Sequence, residues 1–417
     1  MAEINNKLAV LVTIAESTSS LDECNRSLDE LERLLNTAGG ESFAKVIQVK
    51  DKFDPRTCIG KGKVEEIAEL CKNNNISLVI FDFELSPAQI RNLENDIGDV
   101  TVIDRSMLIL DIFALHAESG EGKLQVELAQ LRYSAPRLTG KGIELSRQGG
   151  GIGSRGPGES KLETDRRHLH EKIVALEKKL AELEHNRSVM RAQRDRSGIA
   201  KIALVGYTNA GKSTLLNKIT GADVLTEDKL FATLDPTTRK MELKTGESIL
   251  LTDTVGFIRK LPHHLVKAFK STLDEVVFAD ILLVVSDVND PEVREHLDVT
   301  KSVIEELGAS DKPIIYVYNK CDLTDGISYA VLSDNSVCLS AHTGEGIDLL
   351  LDMIMEEIAK GKREYSLLIP YSEQSALNQL YNVYNVTSVE YLDSGISVKV
   401  VLDHKGSGQF AKYISEA

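Results

Sequence analysis

Twenty residues constrain this chain more than any others. Lys201–Gly206 is a short apolar run, Gly206–Ser213 reads GYTNAGKS, and a segment with helical spacing, TLLNKIT, follows. Strand, GxxxxGK[ST] loop and helix in that order make a phosphate cradle, because loop N–H groups and a helix N-terminus converge on one anion. Gly206, Tyr207, Thr208, Asn209, Ala210, Gly211, Lys212 and Ser213 are therefore candidate phosphate-binding residues. In such loops the lysine reaches the β- and γ-phosphates and the hydroxyl ligates Mg2+, which gives Lys212 and Ser213 their roles. A parallel α/β sheet is the expected frame.

Three further segments follow at the spacing this fold requires. Ser248–Leu251 predicts a strand ending in Asp253, Thr254, Val255 and Gly256. Its acid is placed to hold Mg2+ through water, and the Gly256 N–H to meet a γ-phosphate. Pro313–Tyr318 predicts a strand ending in Asn319, Lys320, Cys321 and Asp322. A carboxylate at Asp322 can accept both the N1 and N2 protons of guanine, a pair that adenine lacks, so the motif selects GTP. Ser340, Ala341 and His342 follow a strand over 337–339 and can turn backbone N–H groups toward the guanine oxygen. Between the first two motifs, Phe231–Arg239 reads FATLDPTTR; Thr233, Thr237 and Thr238 all qualify from sequence to complete the Mg2+ shell and sense the γ-phosphate. Phe257 stands where many signalling GTPases place a water-orienting glutamine, so intrinsic hydrolysis is expected to be slow. Either a large partner supplies the missing groups, or Asn209 with the switch backbone holds K+ against the developing charge.

The chain has 417 residues, enough for two to three domains, and a net charge of −15. That balance excludes a protein that coats nucleic acid over its whole surface. The charge is unevenly spread: residues 131–198 carry 15 Lys and Arg against 9 Asp and Glu, a net of +6, which leaves −21 elsewhere. Leading into this basic stretch, Leu124, Leu128 and Leu131 predict one helix, stopped by Pro136. Leu169, Ile173, Leu176, Leu180 and Leu183 predict a second that begins near Glu159, and the two are expected to fold back as a helical hairpin. Between them, Gly140–Gly158 holds eight glycines, a composition that cannot build a core. Arg137, Lys141, Arg147, Arg155 and Lys161 space positive charge through it, as an approach to phosphates requires. Five widely spaced cysteines without a CxxC pair argue against a disulfide framework or a zinc site. No apolar run is long enough to span a bilayer, and MAEINNKLAV does not read as a signal peptide.

These segments resemble the HflX family of bacterial ribosome-associated GTPases over nearly the whole chain. The resemblance rests on FDPRTCIGKGKVEEI (53–67), GGGIGSRGPGESKLETDRR (149–167), GYTNAGKSTLLN, LFATLDPTTR and DTVGFIRKLPHHL. It implies binding of GTP and GDP, attachment to the large ribosomal subunit, splitting of stalled or idle ribosomes, and a part in ribosome biogenesis. It implies that the glycine-rich tip reaches ribosomal RNA, with Arg137, Lys141, Arg147, Arg155 and Lys161 as candidate contacts. It also implies that the switch threonine is Thr233, which adds Phe231, Ala232, Leu234 and Asp235 to the nucleotide set. Mg2+ would then rest on Ser213 and Thr233, and catalysis on Lys212, Thr233, Gly256 and Asn209. An N-terminal ATP site is a further family proposal, but the residues at Ile59–Lys63 read as a plain turn before a helix.

The expected architecture is an α/β N-terminal subdomain at 1–118, a helical arm at 119–197, a P-loop GTPase domain at 198–362 and a small α+β domain at 363–417. A monomeric, cytoplasmic protein is expected, with partial membrane association left open. The competing reading is a regulatory switch that docks on a protein through the arm, without a ribosomal role.

Overall fold

The computed structural model describes residues 4–140, 157–195, 199–221, 230–231, 234–260, 262, 270–324, 335–402 and 404–415. The chain divides into two compact units. Unit 1 comprises residues 1–184, 226–235 and 255–273, and unit 2 comprises 185–225, 236–254 and 274–417.

Unit 1 is built on β1 (Leu8–Ala15), α1 (Leu21–Thr37), β2 (Glu41–Val49), α2 (Lys61–Asn74), β3 (Leu78–Phe81), α3 (Pro87–Ile97) and β4 (Thr101–Asp104). The sheet runs β2-β1-β3-β4, and every neighbouring pair is parallel. Its central strands are short uninterrupted apolar runs because helices cover both faces. Val10, Val12, Val79 and Phe81 close over Ile59, Val64 and Ile67 on one side. The edge strand β2 carries no such signal: ESFAKVIQV alternates exposed and half-buried positions, and it pairs only with β1.

Helix α4 (Arg105–His116) follows β4 directly, capped by Asp104, which accepts from the Met107 N–H at 3.0 Å. Helix α5 (Gly120–Ser134) ends before Pro136, and α6 (Pro157–Asp195) resumes the arm. The leucine seam of α6 lies half-buried with Leu176 at its covered centre, while Lys172 pairs with Glu127 (2.6 Å) and Glu177 with Arg132 (2.7 Å) of α5. Most of the glycine tract, including Lys141, Arg147 and Arg155, lies outside the described residues.

Unit 2 contains a six-stranded sheet of order β10-β9-β8-β5-β7-β6. Its strands are β5 (Ala200–Gly206), β6 (Thr237–Glu242), β7 (Ser248–Asp253), β8 (Ile281–Asp287), β9 (Ile314–Asn319) and β10 (Ser336–Cys338). All neighbours are parallel except the edge pair β6 and β7. Helices α7 (Lys212–Thr220), α8 (Lys270–Phe278), α9 (Val293–Glu306) and α10 (Ile347–Lys360) connect the strands; the unit boundary falls within α8. A mixed core of Ile202, Leu204, Leu251, Leu283, Val317 and Leu350 fixes the layers. From β5 the chain builds β6 and β7 on one side and then crosses to β8 on the other, and ligands of such sheets bind at that reversal, beyond the strand C-termini.

A separate antiparallel sheet, β11-β13-β12, closes the chain. Its elements are β11 (Arg363–Ile369), α11 (Gln374–Val383), β12 (Asn385–Leu392), β13 (Gly395–Leu402) and α12 (His404–Gln409). They bury Leu367, Leu380, Val398 and Phe410 in a core of their own. Among the described residues no helix is long and apolar enough to cross a membrane.

One buried acid in unit 1 has a pH signature. Asp111 on α4 accepts from Gln130 Nε2 at 3.0 Å, yet burial raises its carboxyl to about 6, with that hydrogen bond opposing the shift. The folded state therefore holds a proton more tightly than the unfolded chain, so this group's contribution falls as pH rises from about 4 through 6. Asp111→Asn is expected to raise stability at pH 7.5 by about 2 kcal/mol and by much less at pH 4.5, read from denaturant melts at the two pH values.

Candidate functional site

The loop after β5 has the backbone that its glycines predict. Gly206 has φ 147° and a Cβ there would lie 2.1 Å from the Val285 carbonyl oxygen; Gly211 has φ 90° and its Cβ would lie 2.2 Å from Asn319 Nδ2. Neither position accepts a side chain. Asn209 holds a left-handed φ of 62° between them, a conformation asparagine tolerates better than most residues. The turn aims the α7 N-terminus at the cradle, and Lys212, 6% exposed, donates from Nζ to the carbonyls of Gly206 (3.1 Å) and Tyr207 (2.8 Å). Burial lowers its ammonium to about 8, with the Asp253 charge pulling upward. Such a cation, desolvated and held by two carbonyl groups, is poised for an anion.

At the mouth of the loop Ser213 Oγ donates to Asp253 Oδ2 at 2.5 Å. A hydroxyl and a carboxylate at this separation form a hard oxygen donor pair, which fits Mg2+ better than a softer ion. Thr254 packs inward, its hydroxyl donating to the Leu204 carbonyl at 2.7 Å, and so ties β7 to β5 below the site.

The third motif is joined to the first by one side chain. Asn319, 2% exposed, donates from Nδ2 to the Ala210 carbonyl (2.9 Å) and accepts at Oδ1 from the Ala341 N–H (2.9 Å). One amide thus holds the phosphate loop and the Ser340–His342 turn in a single arrangement. Lys320 sits in left-handed backbone at φ 65°, and its ammonium pairs with Asp287 at 2.8 Å. Asn289 Nδ2 donates to the Lys320 carbonyl at 2.8 Å, so Asp287 and Asn289 brace the motif from the end of β8. Asp322 and His342 stand exposed at this rim, and Cys321 is half-buried beside them.

The two remaining segments group with unit 1. Ala232 and Thr233 lie outside the described residues, but Phe231, Leu234 and Asp235 are anchored. Phe231 meets Phe113 edge-on at 4.7 Å. Asp235 accepts from the N–H groups of Glu118 (3.0 Å) and Ser119 (2.7 Å) and from Ser119 Oγ (2.5 Å), at the start of α5. Gly122 permits this approach, since a Cβ there would lie 2.5 Å from Asp235 Oδ1. Thr237 and Thr238 are strand residues of β6 in unit 2, and Thr238 Oγ1 contacts Thr252 Oγ1 at 3.0 Å.

After Gly256, Phe257 is buried, and the chain then turns through Lys260, another non-glycine residue with positive φ (51°). Its ammonium enters a polar socket in unit 1, 2.8 Å from Asp82 Oδ2 and 3.0 Å from Ser27 Oγ. Asp82 is fully buried at the end of β3; it also accepts from Arg105 at 2.7 Å, and Arg105 binds Glu30 and the Arg259 carbonyl. Burial opposes the Arg105 charge, but Glu30 and Asp82 raise its pKa above the usual guanidinium value. Two acids and one arginine leave the socket with one uncompensated negative charge, and Lys260 supplies the balancing positive one.

Sequence reasoning missed this socket. Its signal is an acid in an otherwise apolar strand end, FDF at 81–83, with no hint of its distant partner. Among the candidate arm residues, Arg137 lies over the Tyr133 ring at 3.3 Å and donates to the Leu85 carbonyl at 3.1 Å, an internal clasp.

A parallel sheet with a glycine phosphate loop at its reversal point, an aspartate at the next strand end and an asparagine-led loop beside it is a P-loop GTPase domain. The GTPase HflX of Lacrimispora saccharolytica is 49% identical over 93% of this chain and 92% of its own. That of Escherichia coli is 43% identical over 91% and 90%. The chain belongs to the HflX family of GTPases. Its segments match family descriptions in series: residues 25–114 "GTP-binding GTPase N-terminal", 116–194 "GTP-binding GTPase Middle Region" and 201–320 "50S ribosome-binding GTPase". A solved GTP-binding protein from Sulfolobus solfataricus in complex with GDP is 26% identical, covers 85% of this chain and 99% of its own, and superposes with a TM-score of 0.44.

Lys260→Ala leaves the socket with an uncompensated acid. Amide hydrogen exchange over residues 256–260 is expected to accelerate by about tenfold or more, whereas the β1 and β3 amides stay protected.

Proposed function

We propose that the chain holds GTP with Mg2+ in unit 2 and hydrolyses it under control of the large ribosomal subunit, so as to split stalled or idle ribosomes and to act in ribosome biogenesis. The observation that carries the nucleotide reading is the Asn319 amide, which ties the phosphate loop to the turn at Ala341. In this reading Gly206–Ser213 cradles the phosphates, with Lys212 on the β- and γ-oxygens. Phe231–Asp235 and Asp253–Gly256 respond to the γ-phosphate, Thr233 and the Gly256 N–H being its direct sensors. Asn319, Lys320, Cys321, Asp322, Ser340, Ala341 and His342 enclose the base, and Asp322 reads guanine. Ser213 and Thr233 would hold Mg2+, with Asp253 beyond them through water. The ion would neutralise charge on the phosphate oxygens as the terminal phosphoryl group leaves. Asn209, in its left-handed turn, would hold K+ with the switch backbone.

Attachment to the large subunit is supported by the 201–320 match to a 50S ribosome-binding description and by the +6 charge of residues 131–198. Lys141, Arg147, Arg155 and Lys161 are the proposed ribosomal RNA contacts. Arg137 takes a positioning role at the base of the tip, given its clasp with Tyr133 and Leu85. Domain limits near 118, 197 and 362 separate the N-terminal fold, the arm, the GTPase domain and the C-terminal sheet. A cytoplasmic location suits a ribosome factor.

Large subunits added to the purified protein are expected to raise its GTPase rate at least about tenfold, as partners that complete a GTPase site do. An unchanged rate at saturating subunits refutes ribosomal control. Co-sedimentation with the subunit is expected to favour a non-hydrolysable GTP analogue over GDP. Raising salt from 50 to 200 mM should weaken that binding by about tenfold or more if phosphates are the target. Asp322→Asn is expected to turn base preference from GTP toward XTP, and equal rates in K+ and Na+ would remove the Asn209 role.

A further inference from the structure

Away from the nucleotide motifs, the described residues bring three metal-ligating side chains together. Asp290, Glu292 and His296 each offer a ligand atom, and these atoms lie within 4.8 Å of one another. The spacing D-x-E-x3-H is set by backbone structure. Asp290 Oδ1 accepts from the Glu292 N–H at 2.9 Å, its carbonyl accepts from Val293 at 3.1 Å, and the His296 N–H closes the first turn of α9 on the Glu292 carbonyl at 3.0 Å. The turn therefore presents both carboxylates to the imidazole, with Nδ1 3.3 Å from Asp290 and Nε2 3.9 Å from Glu292.

His296 is well covered, at 8% exposure, and its ring stacks on Tyr207 at 3.7 Å and 11°. The stack limits rotation of the ring and so holds its nitrogens beside the two carboxylates. Charge then favours a dication. Two carboxylates with a protonated imidazole leave a net −1, whereas two carboxylates, a neutral imidazole and a divalent ion sum to zero. An imidazole ligand also biases the site away from Mg2+ and Ca2+, which prefer oxygen alone, and toward ions of the zinc, cobalt and manganese group.

We propose that Asp290, Glu292 and His296 form a binding site for a divalent transition ion of the Zn2+ class, separate from the Mg2+ position proposed at Ser213. One imidazole nitrogen and the two carboxylates are its protein ligands, and water completes the shell. Because Tyr207 is the second residue of the phosphate loop and its carbonyl accepts from Lys212, an ion that fixes the His296 ring fixes the support of that loop residue. The site stands on its own residues and does not depend on the nucleotide reading.

Co2+ is the probe, titrated into the full chain saturated with Mg2+ and GDP so that the phosphate site is occupied. The expected result is one equivalent of Co2+ with a visible d–d absorption band, lost in His296→Ala and weakened at least about tenfold in Asp290→Asn. His296→Gln, whose cobalt-free melting temperature is checked against the wild type, gives a second variant of similar bulk and is expected to lose the band as well. Absence of a band in the wild type, or an equal band and affinity in the folded variants, overturns the proposal.

Discussion

Asp82 is the ion on which unit 1 turns. A carboxylate with no exposure cannot remain charged without partners, and breaking such a group's pairing costs about 3–5 kcal/mol. Arg105 partners it, but Arg105 also serves Glu30, and the sum stays negative until Lys260 arrives. The N-terminal fold thus contains a socket that is electrically complete only when a segment from beyond Gly256 occupies it. Asp235, at the end of the Phe231–Asp235 segment, is held by an equally specific set of donors at the start of α5. The segments ending at Asp235 and at Lys260 are thus both tied into unit 1 by named polar contacts.

Unit 2 uses the same economy of contacts with neutral groups. A single amide at Asn319 spans from Ala210 to Ala341, and a glycine at 211 exists because that amide leaves no room for a Cβ. Asp287 and Asn289 extend the arrangement outward by fixing Lys320 in a left-handed conformation. The loops are therefore held to the sheet at several points, which favours a preorganised cradle over one assembled by its ligand.

Legibility in the sequence followed the locality of the physics. The strand, glycine loop and helix at 201–220 could be read because each requirement acts over a few residues. The strands that lead into Asp253 and Asn319 could be read for the same reason: their apolar runs are local. Strand β2 was not read, since its alternation is weak and its only partner is β1. The pairing of Lys260 with Asp82 spans 178 residues and leaves no periodic trace, as does the stacking of Tyr207 on His296. Arg137 was read by its charge alone, and the structure places it over Tyr133, a contact that composition cannot foretell. The choice among Thr233, Thr237 and Thr238 rested on resemblance, and the strand pairing of β6 engages the last two.

The position of Lys260 has a geometric consequence. It lies only four residue steps beyond Gly256, and four steps span at most about 14 Å when fully drawn out. With the ammonium seated on Asp82, Gly256 is on a short tether whose free length is already shortened by the turn at Lys260. Displacements of the glycine beyond that radius require the lysine to leave its socket, so the backbone at Gly256 and the charge balance around Asp82 are mechanically linked within unit 1.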